Sequence, residues 1–339
     1  MRKRIRIGVK GSLWPVLWAG LALALPGSVA AQTLVTTIPL TTMVDDLLSL
    51  DPSTNLLYTG GGNPGALPVD IVNLYTSGVT QPGFDGQGIA VDRLNDNYWV
   101  PGVYSGSVQV FDSKNKLLDT VSLGDCPFQA AFDQKHKQMW VGAQCGGGND
   151  PVWAIDSTTF AIKAGPIGLG GVFGGMTVDP PTGVAYVNEN GCQRVDPVTY
   201  VATVAPFSPN CPRGPAADAV TGYLYVLSGT TLQIWNGKAK PETLLRSITL
   251  PYTPFVYMGV NDALSHVYIQ ESGTSTLDIR NSLTGTEIAH FTASGLAPGG
   301  IAVDSTRGRV YINSSVSGSQ VLYVIDDIST VRHLGTRGY

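Results

Sequence analysis

Asp92 and Trp99 stand seven residues apart in GIAVDRLNDNYWVPG, a carboxylate behind an apolar run with an aromatic within reach. Such a pair could serve as an acid in an apolar pocket or as the anchor for a polar ligand. Other chemistry must come from four cysteines, four histidines and the rest of 25 acidic residues. The histidines His136, His266, His290 and His333 show no metal-ligand spacing, and no G-x-S-x-G elbow occurs. The glycine-rich run Gly165–Gly175, GPIGLGGVFGG, misses the G-x-G-x-x-G spacing and leads into a strand pattern, so it reads as turn glycine.

The elements that carry Asp92 and Trp99 change how the pair is read. The same spacing returns as Asp51/Tyr58, Asp133/Trp140, Asp179/Tyr186, Asp218/Tyr225, Asn261/Tyr268 and Asp304/Tyr311. Successive copies lie 41, 41, 46, 39, 43 and 43 residues apart. A second series ends an alternating strand pattern in each unit, at Asn73, Asp112, Asp156, Asp196, Asn236, Asn281 and Asp326. Each unit therefore reads as four short strands, A to D, too small to bury both faces of its own sheet. Stacking seven such sheets around an axis solves the burial problem, so the spacing predicts an all-β, seven-bladed β-propeller of four-stranded antiparallel blades. The blades start near residues 46, 87, 128, 174, 213, 256 and 299. The last unit supplies only A to C, and TLVTTIPL at Thr33–Leu40 is expected to close the ring as its D strand, with STVRHL at Ser329–Leu334 as the competitor. A residue present in every blade does a job common to all blades. The Asp or Asn is expected to hold a tight turn and the aromatic to pack between blades.

AYVNENG at Ala185–Gly191 and the VID strand ends resemble the YVTN-type β-propeller repeat, close to the NHL-repeat proteins. That resemblance runs from about Asp45 onward and implies the fold. The family includes binding proteins, scaffolds, lactonases and sugar dehydrogenases, so the resemblance does not by itself assign a reaction.

The N-terminus reads as a secretory signal over residues 1–31: five basic residues, an apolar core from Leu13 to Leu25, and a small-residue site at Val29 and Ala31. Residues 32–339 then form a single domain with 16 basic and 25 acidic side chains, a net charge near −9. A nucleic-acid partner is not expected, because a grip on phosphates needs a surplus of cations. After cleavage no transmembrane segment is expected, and the chain is read as a periplasmic or secreted monomer. In an exported chain an even cysteine count favours disulfides. Cys126 and Cys211 each precede their first landmark by seven residues, while Cys145 and Cys192 fall in B–C loops. Cys126–Cys145 and Cys192–Cys211 are the expected pairs, each 19 residues apart. The other connectivities and a zinc site are weaker, since no C-x-x-C occurs.

Function is expected where the repeats disagree, on the face formed by the D–A and B–C loops. Asp46, Gln87 and Arg213 stand five residues before their landmarks, with Gln129 and Tyr257 one position further on. Glu189 and Glu271 follow their strand B aromatics by three. These seven residues are the candidate binding set, placed around the channel mouth for a protein, peptide or small polar ligand. No catalysis and no cofactor are expected from them. The alternatives are a lactonase-like hydrolase with a divalent cation such as calcium in the channel, held by Asp46, Glu189 and Glu271, or a structural component of the cell envelope.

Overall fold

The structure is a computed structural model, and it describes residues 32–41, 44–61, 68–84, 86–145, 147–209, 211, 213–316 and 319–327. Seven four-stranded antiparallel sheets follow one another around the ring, without helices among the described residues. Blade 3 shows the pattern: strand A at Pro127–Asp133, B at Gln138–Ala143, C at Pro151–Asp156 and D at Ile162–Gly168. Strand A lines the axis, B is buried throughout, and D is largely exposed at the rim. The ring closes as the sequence predicts. Gln32–Pro39 pairs antiparallel with Ser319–Asp327, completing blade 7 beside Ile301–Asp304 and Arg309–Val316. The competing strand at 329–334 and the signal segment at 1–31 lie outside the described residues.

The first landmark series makes the A–B turns. Asp51, Asp92, Asp133, Asp179, Asp218, Asn261 and Asp304 are all buried. The Asp92 carboxylate accepts from the backbone N–H of Leu94 at 2.9 Å and Asn95 at 3.3 Å. Asp218 accepts in the same way from Val220 and Thr221, and Asp304 from Thr306 and Arg307. Four residues past each landmark the backbone turns left-handed, at Asn55, Asp96, Lys137, Gly183, Gly222, Ser265 and Gly308. This is a turn closed by one left-handed residue, whose twist suits an antiparallel hairpin. The second landmark series does the same for the C–D turns: Asp156 accepts from Thr158 and Thr159, Asp196 from Val198 and Thr199, Asn281 from Leu283 and Thr284. These donors to the charged form hold Asp156 and Asp196 below the usual carboxylate range, outweighing a smaller opposing effect of burial.

The aromatics fill the seams between blades. Trp99 of blade 2 packs with Met139, Val141 and Trp153 of blade 3, and Trp140 in turn with Met176 and Val187 of blade 4. The tyrosines add a polar tie. Tyr186 donates from its hydroxyl to Glu242 at 2.8 Å, Tyr225 to the Ser282 carbonyl at 3.1 Å, and Tyr268 to Asp327, each in or leading to the next blade. Phe160 and Tyr200 hold left-handed backbone angles that bulky side chains rarely adopt. Each is seated edge-on against the tryptophan of the preceding seam, Phe160 against Trp99 and Tyr200 against Trp140. Burial of the ring offsets the backbone cost. Asp92 and Trp99 are thus scaffold.

Candidate functional site

The A–B and C–D turns on one face repeat almost identically, while the D–A and B–C loops on the other differ from blade to blade. Two adjacent cavities, of about 430 and 290 Å³, occupy the axis. Strand A residues line both, mostly apolar ones such as Leu48, Ile89, Val91, Phe132, Met258 and Val303. Apolar side chains face the axis because strand A alternates between the seam and the channel, and the channel positions have no obligatory polar partner.

Three of the seven candidate residues gather at this channel. Arg213, Tyr257 and Gln129 line the 290 Å³ cavity, and Gln129 also borders the larger one. The Arg213 guanidinium lies 5.4 Å from the centroid of the Tyr257 ring and donates to the Gly174 carbonyl at 3.0 Å. A cation over an aromatic face and anchored by one hydrogen bond keeps other donors for an anionic or amide ligand. Gln129 is committed elsewhere. Its side-chain amide donates to the Met176 carbonyl at 3.0 Å and accepts from the Met176 N–H at 2.9 Å, joining strand A of blade 3 to that of blade 4. It acts as an extra rung between blades, and the sequence gives no hint of that second partner.

The other candidates are dispersed. Gln87 is half-buried, its backbone N–H on the Pro101 carbonyl, and it lines neither cavity. Asp46 falls in Val44–Asp51, and its side chain lies outside the described residues. Glu271 sits at the end of strand B of blade 6, with Oε1 3.8 Å from His290 Nδ1, on the flank of that blade. Glu189 is wholly buried among the loops of blades 3 and 4. Glu189 and Glu271 line neither cavity, and each meets its partners in its own blade's surroundings, Gly171 for Glu189 and His290 for Glu271.

Glu189 belongs to a brace that sequence reading missed. Its Oε1 accepts from the Gly171 N–H at 2.9 Å, and the Gly171 carbonyl accepts from the Asp150 N–H at 3.1 Å. Asp150 takes the Cys145 N–H at 3.0 Å on one oxygen and the Phe173 N–H at 3.1 Å on the other. Burial pushes the Glu189 carboxyl up to about 7, with the Asp150 charge adding to the rise and the Gly171 N–H opposing it. The signal available in the sequence was an acid, Asp150, directly before a strand C that is otherwise buried.

Both disulfides form as paired from the sequence, Cys126–Cys145 and Cys192–Cys211. They are not topologically equivalent despite equal spacing. The first ties the loop entering strand A of blade 3 to the loop leaving its strand B, whereas the second ties strand C of blade 4 to the loop that enters blade 5. Together with Asp150 and Glu189 they brace the loops of blades 3 to 5 over a continuous arc. Seven such blades define a β-propeller in the structural sense. Comparison with known protein families and with curated proteins finds no match to this chain. No helix among the described residues is long and apolar enough to cross a membrane.

Proposed function

We propose that this chain is an exported binding propeller of the YVTN/NHL-like kind, periplasmic or secreted, that engages a protein, peptide or polar ligand with its D–A/B–C face and has no catalytic role of its own. The observation that carries this reading is the asymmetry between the faces. One face is seven near-copies of a single turn. The other carries both disulfides, the Asp150–Glu189 brace and the Arg213–Tyr257 pair beside a cavity. Bracing loops before a ligand arrives reduces the ordering cost of binding, which is what a preorganised recognition surface needs.

The test is site-specific photocrosslinking in the producing cell. A crosslinking residue replaces exposed Val172, in the loop entering blade 4, or exposed Val220, in the A–B turn of blade 5 on the opposite face. Adducts are expected from position 172, and Arg213→Ala should diminish them. Equal adducts from both positions, or adducts from 220 alone, would refute the reading.

A further inference from the structure

Blade 6 departs from the other blades on its outer flank. At the position before the second landmark the other blades carry Val72, Phe111, Ile155, Val195, Trp235 and Ile325, but blade 6 carries Arg280. Two residues earlier stands Asp278, wholly buried. One Asp278 oxygen, Oδ2, accepts from Arg280 Nε at 2.5 Å and from the Tyr252 hydroxyl. The other, Oδ1, is buried and makes no hydrogen bond. A buried carboxylate oxygen left without a donor is costly unless something cationic faces it.

What faces it is His290, directly opposite Asp278 in the strand register. His290 Nε2 lies 3.6 Å from Asp278 Oδ1 and 3.3 Å from Glu287 Oε1. These separations exceed the ~2.7–2.9 Å of a charge-assisted hydrogen bond. Bonds of about 2.0–2.1 Å to a central tetrahedral ion separate its donors by roughly 3.3–3.4 Å; the Glu287 separation meets that edge, and the Asp278 separation of 3.6 Å needs a small inward side-chain adjustment. Donor atoms of Asp278, Glu287 and His290 all lie within 4.8 Å of one another. We propose that this flank of blade 6 is a binding site for a zinc-class divalent cation, ligated by Asp278 Oδ1, Glu287 and His290 Nε2.

The surroundings favour that assignment. Arg280 and Tyr252 fix the non-ligating oxygen of Asp278, leaving Oδ1 as the donor that faces His290. Glu271 lies 3.8 Å from His290 Nδ1, so its negative charge faces the ring edge opposite Nε2. Three carboxylates against one guanidinium leave a negative balance for a dication. Glu287 is half exposed and His290 about a third exposed, so the ion has a path from solvent. One imidazole with two carboxylates suits zinc; calcium needs six or more oxygens.

The experiment uses the untagged exported protein, stripped with EDTA and titrated with Zn²⁺ by calorimetry and with Co²⁺ by visible absorption. One equivalent of either ion is expected at a dissociation constant of about micromolar or tighter, with the intense cobalt band of a four- or five-coordinate site. His290→Ala should weaken binding by about 100-fold, and Glu271→Gln by about tenfold. Glu287→Gln, an isosteric change at a half-exposed position, should also weaken it, whereas His136→Gln should not. No stoichiometric uptake by the native protein would overturn the proposal, and so would equal uptake by His290→Ala and Glu287→Gln. Displacement of Zn²⁺ by an equal concentration of calcium would overturn the zinc-class assignment.

Discussion

Replacing Asp327 with alanine tests whether the ring is held shut by one carboxylate. Asp327 ends strand C of blade 7 and is buried. It accepts from His266 Nδ1 at 2.6 Å, from the Tyr268 hydroxyl, and from Gln32 Nε2 at 3.0 Å. Blade 6, blade 7 and the closing N-terminal strand therefore meet on a single side chain. Burial alone would raise its pKa, but the three donors outweigh that effect and hold it below the usual carboxylate range. Alanine leaves three donors without an acceptor in a place water reaches poorly. At about 1–3 kcal/mol for each such group, and less than additively, Asp327→Ala should cost about 3–5 kcal/mol. The loss is read as a lower urea midpoint at neutral pH. Because the folded pKa is depressed, the contribution of Asp327 is present above the unfolded value of about 3.9 and fades as pH falls through the folded pKa. The gap between native and variant should therefore narrow in acid. A variant within about 0.5 kcal/mol of the native protein at pH 7 would show that the ring closes by strand pairing alone.

Asp92→Ala should destabilise by about 1–3 kcal/mol through its two unpaired turn N–H groups, and Asp92→Asn by much less, as Asn261 fills the same position in blade 6; urea melts of both variants distinguish them. Lys137 has a positive φ of 52°, so Lys137→Gly should raise stability by up to about 1 kcal/mol, read as an increased midpoint, while the same change at an ordinary exposed strand position lowers it. Glu189, raised to about 7, binds its proton more tightly folded than unfolded, so its contribution is greatest below about 4.3 and is lost as pH rises towards 7. Urea melts across that window should fall less steeply for Glu189→Gln than for the native chain.

The fold was legible because a propeller writes its rules seven times. Asp92 and Trp99 say little alone, but aligned with six copies they give the hairpin, the seam and the blade count. Ring closure followed from an unpaired strand pattern at each end, and the cysteine pairs from their place in loops of one face. The site was less legible for the converse reason. Gln129 spends its amide on the backbone of the next blade, and Glu189 turns into a loop instead of the channel; both depend on packing between blades, which spacing does not encode. The place of Arg213 and Tyr257 beside the axis was legible because both sit at fixed offsets from a landmark. The Asp278–His290 pair arises from cross-strand register in one blade. Its only trace in the sequence is Arg280, a charge where the other blades carry an apolar residue.

Pairing Gln32–Pro39 with Ser319–Asp327 also sets a schedule for folding. Bonds between Gln32 and Asp327 span 295 residues, the longest separation among the described residues, so an early strand must wait for a late one. Until then blade 7 lacks its rim strand, and its C strand offers an open edge to any extended peptide. Without Gln32–Pro39 the ring is complete but for one of the four strands of blade 7. Slowing that last step, as Asp327→Ala should, would expose the edge for longer and turn a local defect into intermolecular strand exchange.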